Sequence, residues 1–191
     1  PSTPLGEPVM ATAVGRVTAS ADPDLPVGSR VNLISSWQDY VKVSGTTLRR
    51  PSLLPDGITY AEAMGRFGLN PMTAYFGLLE IGQPQAGETL VVSGAAGSTG
   101  STAAQIGRIK GLRVIGIAGG KEKRDWPTGE CGIEAAIDYK SENVTARLAA
   151  LCPKGINIFY DNVGGEILQA AVDNMAPFGR IVLCGQISSY D

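Results

Sequence analysis

The sequence predicts an α/β fold, a doubly wound parallel sheet preceded by a β-rich opening segment. Three observations lead there. From Thr73 onward, apolar runs alternate with helical segments in a βαβαβαβαβ rhythm. Those runs are continuous rather than alternating, as in strands covered on both faces. Residues 1 to about 50 instead carry short runs divided by turn residues.

In the opening segment, Val14 to Ala19 reads as a strand and Pro23 to Gly28 as turns. Val31-Asn32-Leu33-Ile34 and Tyr40-Val41-Lys42-Val43 read as further strands. Asp56-Gly57 marks a turn. Thr59 then opens a helix, because its hydroxyl caps a backbone N–H while Glu62, three residues on, reaches back. Ala74 to Ile81 reads as a helix ended by Gln83-Pro84 to Gly87. Thr89 to Val92 is the first buried strand. Ser98 to Lys110 is a helix, with Ala103, Ala104, Ile106, Gly107 and Ile109 spaced for close packing on a sheet. Arg113 to Ala118 is the next strand, and Lys121 to about Glu130 a helix interrupted by Pro127 and Gly129. Ala135 to Ile137 is a short strand, Asn143 to Leu151 a helix and Ile156 to Tyr160 a strand. Glu166 to Met175 is a helix and Arg180 to Cys184 the closing strand.

Composition excludes several function classes. The 191 residues carry a net charge of −2 and are 43% apolar. That length buries one good core, or one core plus part of another. No basic run or acidic tail stands out, so a nucleic-acid or membrane-surface partner has no electrostatic support. No apolar stretch approaches the roughly 20 residues of a membrane span. Pro1-Ser2-Thr3-Pro4 lacks the basic start and apolar run of a signal peptide. Cys131, Cys152 and Cys184 are odd in number and far apart, which argues against a disulfide framework and fits a reducing cytoplasm. The absence of histidine excludes Ser-His-Asp and Cys-His chemistry within this chain. Three scattered cysteines make a poor zinc site, so no metal is expected. Enzymatic chemistry here would come from a cofactor.

The Gly-rich turn Gly94-Ala95-Ala96-Gly97-Ser98-Thr99-Gly100 points to which one. It follows the first buried strand and opens a helix, as a dinucleotide's pyrophosphate requires. Gly97 has no Cβ to hold phosphate oxygens away, Gly100 allows close helix–strand packing, and the N–H groups at the helix start face the anion. An NAD site would place an acid about 20 residues further on. Here the second strand ends Ile117-Ala118-Gly119-Gly120 with no acid at its tip, and Lys121-Glu122-Lys123-Arg124 follows. Glycines leave room for a 2′-phosphate and a cation neutralises it, with Lys123 the first choice and Arg124 and Lys121 behind it. The reading is NADP(H). A plain solvated start to a helix is the competing account of the same charges.

Several blocks in one order resemble a known family. They are Met72-Thr73-Ala74-Tyr75-Phe76-Gly77-Leu78, Gly94 to Ser101, Asp138-Tyr139-Lys140, Tyr160-Asp161-Asn162-Val163-Gly164-Gly165 and Cys184-Gly185-Gln186-Ile187-Ser188-Ser189-Tyr190. With Trp37-Gln38-Asp39-Tyr40, they resemble the zinc-free medium-chain dehydrogenase/reductases, in particular the prostaglandin reductase and 2-alkenal reductase branch. The resemblance implies a GroES-like catalytic domain, present in part at 1–65, and a Rossmann domain at 66–191 that is incomplete at its C-terminal end. It implies NADPH-dependent reduction of the carbon–carbon double bond of an enone or enal, in a cytoplasmic homodimer. Carried over by position, Gly97, Ser98, Thr99 and Gly100 hold the pyrophosphate. Lys123 pairs with the 2′-phosphate, and Tyr139 lies against the adenosine end. Asn162 bonds near the ribose and nicotinamide. Cys184, Gly185, Gln186, Ile187, Ser188, Ser189 and Tyr190 line the nicotinamide pocket, and Met72 and Thr73 approach the nicotinamide from the domain junction.

Read without the family, Tyr139 equally suits a strand edge, Asn162 with Val163-Gly164-Gly165 equally suits a simple turn, and Cys184 suits a packed small hydrophobe. The mechanism implied is hydride transfer to the β-carbon, with the developing charge on the carbonyl oxygen stabilised by the protein. Tyr190 is the candidate hydrogen-bond donor, since a phenol is protonated at neutral pH. A quinone oxidoreductase of the zeta-crystallin type and a non-catalytic NADPH-binding protein remain alternatives. The chain departs from the family pattern in three places. It is expected to begin inside the catalytic domain and stop after the fifth strand of the sheet, Ser29 stands where the family turn has Asp, and Pro127-Thr128-Gly129 is expected to break a usually continuous helix.

Overall fold

The computed structural model describes residues 3–43 and 51–189. The chain divides into two units, one reaching Leu69 and the other running from Asn70 to Tyr190. The first is built on an antiparallel sheet of β1 (Met10–Arg16), β2 (Arg30–Ser36) and β3 (Ser52–Leu53) in that spatial order. Strand β2 shows the period of two expected of a sheet with one covered face, since Val31, Leu33 and Ser35 are buried. Helix α1 (Tyr60–Met64) begins as the sequence predicts. Thr59 Oγ1 accepts from the Glu62 N–H at 3.2 Å, and Glu62 Oε2 accepts from the Thr59 N–H at 2.9 Å. That backbone N–H holds the Glu62 carboxyl below its ordinary value.

Two expectations need correction in this unit. The first strand spans Met10–Arg16, not Val14 to Ala19. Tyr40-Val41-Lys42-Val43 is not a strand, and its Tyr40 and Val41 side chains are exposed. An apolar run forms a strand only where a neighbour supplies hydrogen bonds and cover, and the free edge of β2 pairs with Ser52–Leu53 instead.

The second unit opens with α2 (Leu69–Phe76), which widens into a π-helical stretch at Gly77–Gly82. The expected single helix over Ala74 to Ile81 is therefore two kinds of helix in sequence. Its sheet contains β4 (Thr89–Ser93), β5 (Arg113–Ala118), β6 (Ala135–Asp138), β7 (Ile156–Asp161) and β8 (Met175–Leu183) in the order β6-β5-β4-β7-β8. Every neighbouring pair is parallel. The strand order reverses between β4 and β7, the arrangement of a doubly wound sheet.

Successive residues of β4 serve opposite faces. Leu90 and Val92 pack with Ala103 and Ala104 of α3 (Ser98–Ile109) and with Leu78. Val91 packs on the other side, with Leu148 of α5 (Val144–Leu151) and Ile167 and Ala171 of α6 (Gly165–Val172). The close approach of α3 to the sheet is made at Gly107, where a Cβ would lie 2.5 Å from Leu90 Cδ2. Gly100 makes a second close approach, to the backbone that runs on from β4. Its missing Cβ would fall 2.3 Å from the Gly94 carbonyl oxygen, so it makes room for the turn's own backbone.

Helix α4 (Lys121–Gly129) runs unbroken through Pro127, contrary to expectation. Proline lacks one N–H and crowds the preceding turn, yet Pro127 sits in the last turn and is buried. Its carbonyl accepts from Cys131 N at 3.2 Å, which carries the chain onward. Helix α6 (Gly165–Val172) ends at Val172, and Met175 already belongs to β8 rather than to the helix. Strand β8 bulges between Met175 and Arg180, with Phe178 at φ 62° and fully exposed.

Candidate functional site

In an open α/β sheet, ligands bind outside the carboxyl ends of the strands where the order reverses. Here that point lies between Ser93 at the end of β4 and Asp161 at the end of β7. After Ser93, Gly94 takes φ 62° and the Gly97 N–H closes the turn on the Gly94 carbonyl at 2.9 Å. Gly97 is the N-cap of α3 in an extended conformation, and no side chain caps that helix start. The first N–H groups of a helix have no partner within it, so Ser98, Thr99 and Gly100 present donors along the positive end of the helix dipole. The arrangement is a backbone cradle for an anion, and a Cβ on Gly97 would lie 3.3 Å from the Gly94 oxygen.

At the end of β5, Gly119 does not leave open space. A Cβ there would lie 2.6–2.7 Å from the Tyr139 ring, so the half-exposed tyrosine rests against the glycine. The missing acid of β5 has a neighbour, Asp138 at the end of β6. Its Oδ1 accepts from Gly120 N at 2.7 Å and Lys140 N at 3.0 Å, and its Oδ2 from Ser141 Oγ at 2.9 Å. The Gly120 N–H foremost, then that of Lys140, hold its carboxyl below the ordinary aspartate value. Asp138 thus ties two loops together. Lys121 and Arg124 both engage Asp125, at 2.7 and 2.8 Å. Lys123 is exposed and makes no ion pair among the described residues.

The sequence blocks after β7 and β8 come together. Ser93 Oγ donates to Asp161 Oδ1 at 2.7 Å, and both side chains are fully buried. Ser93 Oγ also accepts from Asn162 N at 2.8 Å, while Asn162 Nδ2 donates to the Ser93 carbonyl at 2.7 Å. Asp161 Oδ1 accepts further from Val163 N at 3.0 Å and Gly164 N at 3.1 Å. The Asp161 carbonyl holds Cys184 N and Gly185 N at 2.8 and 3.0 Å, and Ser188 N and Oγ bond the Val163 carbonyl at 3.0 and 2.6 Å. Asn162, Gly164 and the segment Cys184 to Ser189 are therefore one packed edge. Gln186 and Ile187 lie on it, with Gln186 against Gly164. Asn162 Cβ reaches to 3.5 Å from where a Gly94 Cβ would stand, which joins this edge to the phosphate-type turn.

Met72 and Thr73 lie on α2. The Thr73 carbonyl accepts from the Tyr160 hydroxyl at 3.1 Å, and Met72 is half-exposed. Burial pushes the Tyr160 phenol far above its ordinary value, and contact with the Cys184 thiol adds to this. Cys184 packs against the buried cluster that contains Tyr160, as a small hydrophobe does. Tyr190 lies outside the described residues. Sequence reasoning did not single out Ser93, Asp138, Tyr160 or the Asp161 side chain as part of the site. The available signal was a polar residue ending an otherwise apolar strand, which describes Ser93, Asp138 and Asp161 alike.

Residues 98–190 match the family model described as zinc-binding dehydrogenase, and residues 1–50 match that described as the N-terminal domain of oxidoreductase. The NADPH-dependent curcumin reductase of Escherichia coli is 41% identical over 191 residues, the whole of this chain and 55% of that protein. Prostaglandin reductase 1 of Oryctolagus cuniculus is 38% identical, over 97% of this chain and 54% of its own length. The chain belongs to the medium-chain dehydrogenase/reductase family. Among solved structures, CurA of Vibrio vulnificus in complex with NADPH superposes with a TM-score of 0.82 at 38% identity, covering 90% of this chain and 50% of that one. This medium-chain dehydrogenase/reductase chain thus spans about half the length of the relatives it matches. Among its described residues, no group of three or more His, Cys, Asp or Glu is placed to hold a metal ion. No helix among them is long and apolar enough to cross a membrane.

Proposed function

We propose that the crevice between β4 and β7 is the NADP(H) site of a reductase acting on the carbon–carbon double bond of α,β-unsaturated ketones and aldehydes. The observation that carries this is the uncapped start of α3 at the strand-order reversal, a backbone cradle of N–H groups that suits a pyrophosphate. Gly97, Ser98, Thr99 and Gly100 hold the pyrophosphate there. Lys123, with no competing acid among the described residues, meets the 2′-phosphate, and its two cationic neighbours are occupied by Asp125. Gly119 and Tyr139 form the wall for the adenosine. Asn162 has its Nδ2 committed to the Ser93 carbonyl, so it turns its own amide oxygen to a ribose hydroxyl. Cys184, Gly185, Gln186, Ile187, Ser188 and Ser189 wall the nicotinamide on one side, and Met72 and Thr73 on another.

The bound cofactor supplies a hydride to the β-carbon of the substrate. The protein's part is to stabilise charge at the carbonyl oxygen, and Tyr190 is assigned as the donor to it. A proton completes the α-carbon, giving the saturated carbonyl compound and NADP+. The curcumin and prostaglandin reductase relatives support the enone class, and their names carry no further to a particular substrate.

The test is NADPH consumption with a panel of enones, enals, saturated aldehydes and quinones, run beside a binding assay. Turnover with enones and enals, yielding products that keep the carbonyl group, is expected. Turnover of quinones alone would replace the substrate class. Binding without turnover of any acceptor would replace catalysis with a binding role.

A further inference from the structure

We infer that the buried Ser93–Asp161 pair is a positioning device that couples the phosphate turn to the nicotinamide-side wall, so that it controls binding of the whole dinucleotide and not of its adenosine end. The inference rests on the proposed NADP(H) site and goes beyond it, because neither side chain touches the cofactor in that reading.

Both side chains are completely buried at the carboxyl ends of adjacent strands. A buried polar group without partners is costly, so such a group marks a network that is satisfied for a reason. Here the satisfaction is unusual in direction. Asp161 takes no cation among the described residues. Its side chain gathers the Ser93 hydroxyl and the N–H groups of Val163 and Gly164, while its carbonyl gathers those of Cys184 and Gly185. One residue therefore fixes its own loop, the end of β4 and the segment after β8. Ser93 is the link on the other side. It stands next to Gly94, donates to Asp161 and accepts from the Asn162 N–H through one oxygen. Remove that oxygen and Asn162 loses the bond that sets its backbone against the phosphate turn. The Gly119 and Tyr139 end is held by a separate network centred on Asp138. The two ends of the crevice thus have separate supports, and only one of them passes through Ser93.

Calorimetric titration of Ser93→Ala and the parent protein with NADPH and with adenosine 2′-phosphate separates the possibilities. NADPH affinity is expected to fall by about tenfold or more, the scale of a lost buried hydrogen bond network. Adenosine 2′-phosphate affinity is expected to stay unchanged. Ser93→Cys keeps the shape but donates and accepts weakly, so it is expected to move in the same direction by less, and it carries the comparison if the alanine variant does not fold. Equal weakening of both ligands means general damage and overturns the coupling, as does no weakening of either. A parent protein that binds adenosine 2′-phosphate and NADPH equally well also overturns it, while one that binds neither overturns the cofactor assignment and this inference with it.

Discussion

A methyl group on Gly100 would lie 2.3 Å from the Gly94 carbonyl oxygen and 2.8 Å from its carbon, and backbone cannot step aside as a side chain can. One on Gly107 would meet the Leu90 side-chain end at 2.5 Å, while gaining the helix preference of alanine, about 1 kcal/mol. Gly100→Ala is therefore expected to destabilise by about 1–3 kcal/mol and to weaken NADPH binding. Gly107→Ala is expected to cost less and to leave binding intact. Thermal melts with parallel titrations check the ranking. Lys123→Ala is expected to weaken NADPH by roughly tenfold or more, as one charge-assisted hydrogen bond implies, with NADH unaffected. At this scale the sequence disclosed residues whose chemistry is local, such as Gly97 in its turn. It did not disclose the partnership of Ser93 with Asp161, since nothing in a sequence says that two residues 68 positions apart end adjacent strands.

Elements were legible where local signals agreed with the tertiary surroundings. Asn143 caps α5 by accepting from Ala146 N at 2.9 Å, as the predicted start at that residue requires. Asn143→Ala is expected to cost about 1 kcal/mol, read as a fall of roughly 2–4 °C in Tm for a chain of this size. Legibility failed where surroundings overrode local preference. Pro127 predicted a broken helix, but burial in the final turn of α4 lets the helix run past it. Tyr40 to Val43 had the composition of a strand but no pairing partner among the described residues. Asp138 gives the two loops it joins, after β5 and after β6, a pH dependence. Its folded pKa is depressed, so its stabilisation is fully present above the unfolded value of about 3.9 and is lost as pH falls through the folded value. The Tm gap between the parent and Asp138→Asn is expected to be wide near neutrality and to close in acid. A gap independent of pH would show that the carboxylate's charge is not what holds the Gly120 and Lys140 N–H groups.

At the scale of the molecule, the doubly wound sheet was readable from the rhythm of its runs, and with it the location of the crevice. The composition of the β-rich unit carried less, because short strands take their partners from tertiary context. In the proposed function, the reversal between β4 and β7 receives NADP(H), with the 2′-phosphate chosen at the Gly119–Lys123 end. Paired titrations of the protein with NADPH and NADH, repeated on Lys123→Ala, test that claim directly. NADPH is expected to bind about tenfold or more tightly than NADH, and Lys123→Ala to remove most of the difference. Equal affinity for the two cofactors in the parent protein, or a preference that survives loss of Lys123, would contradict it.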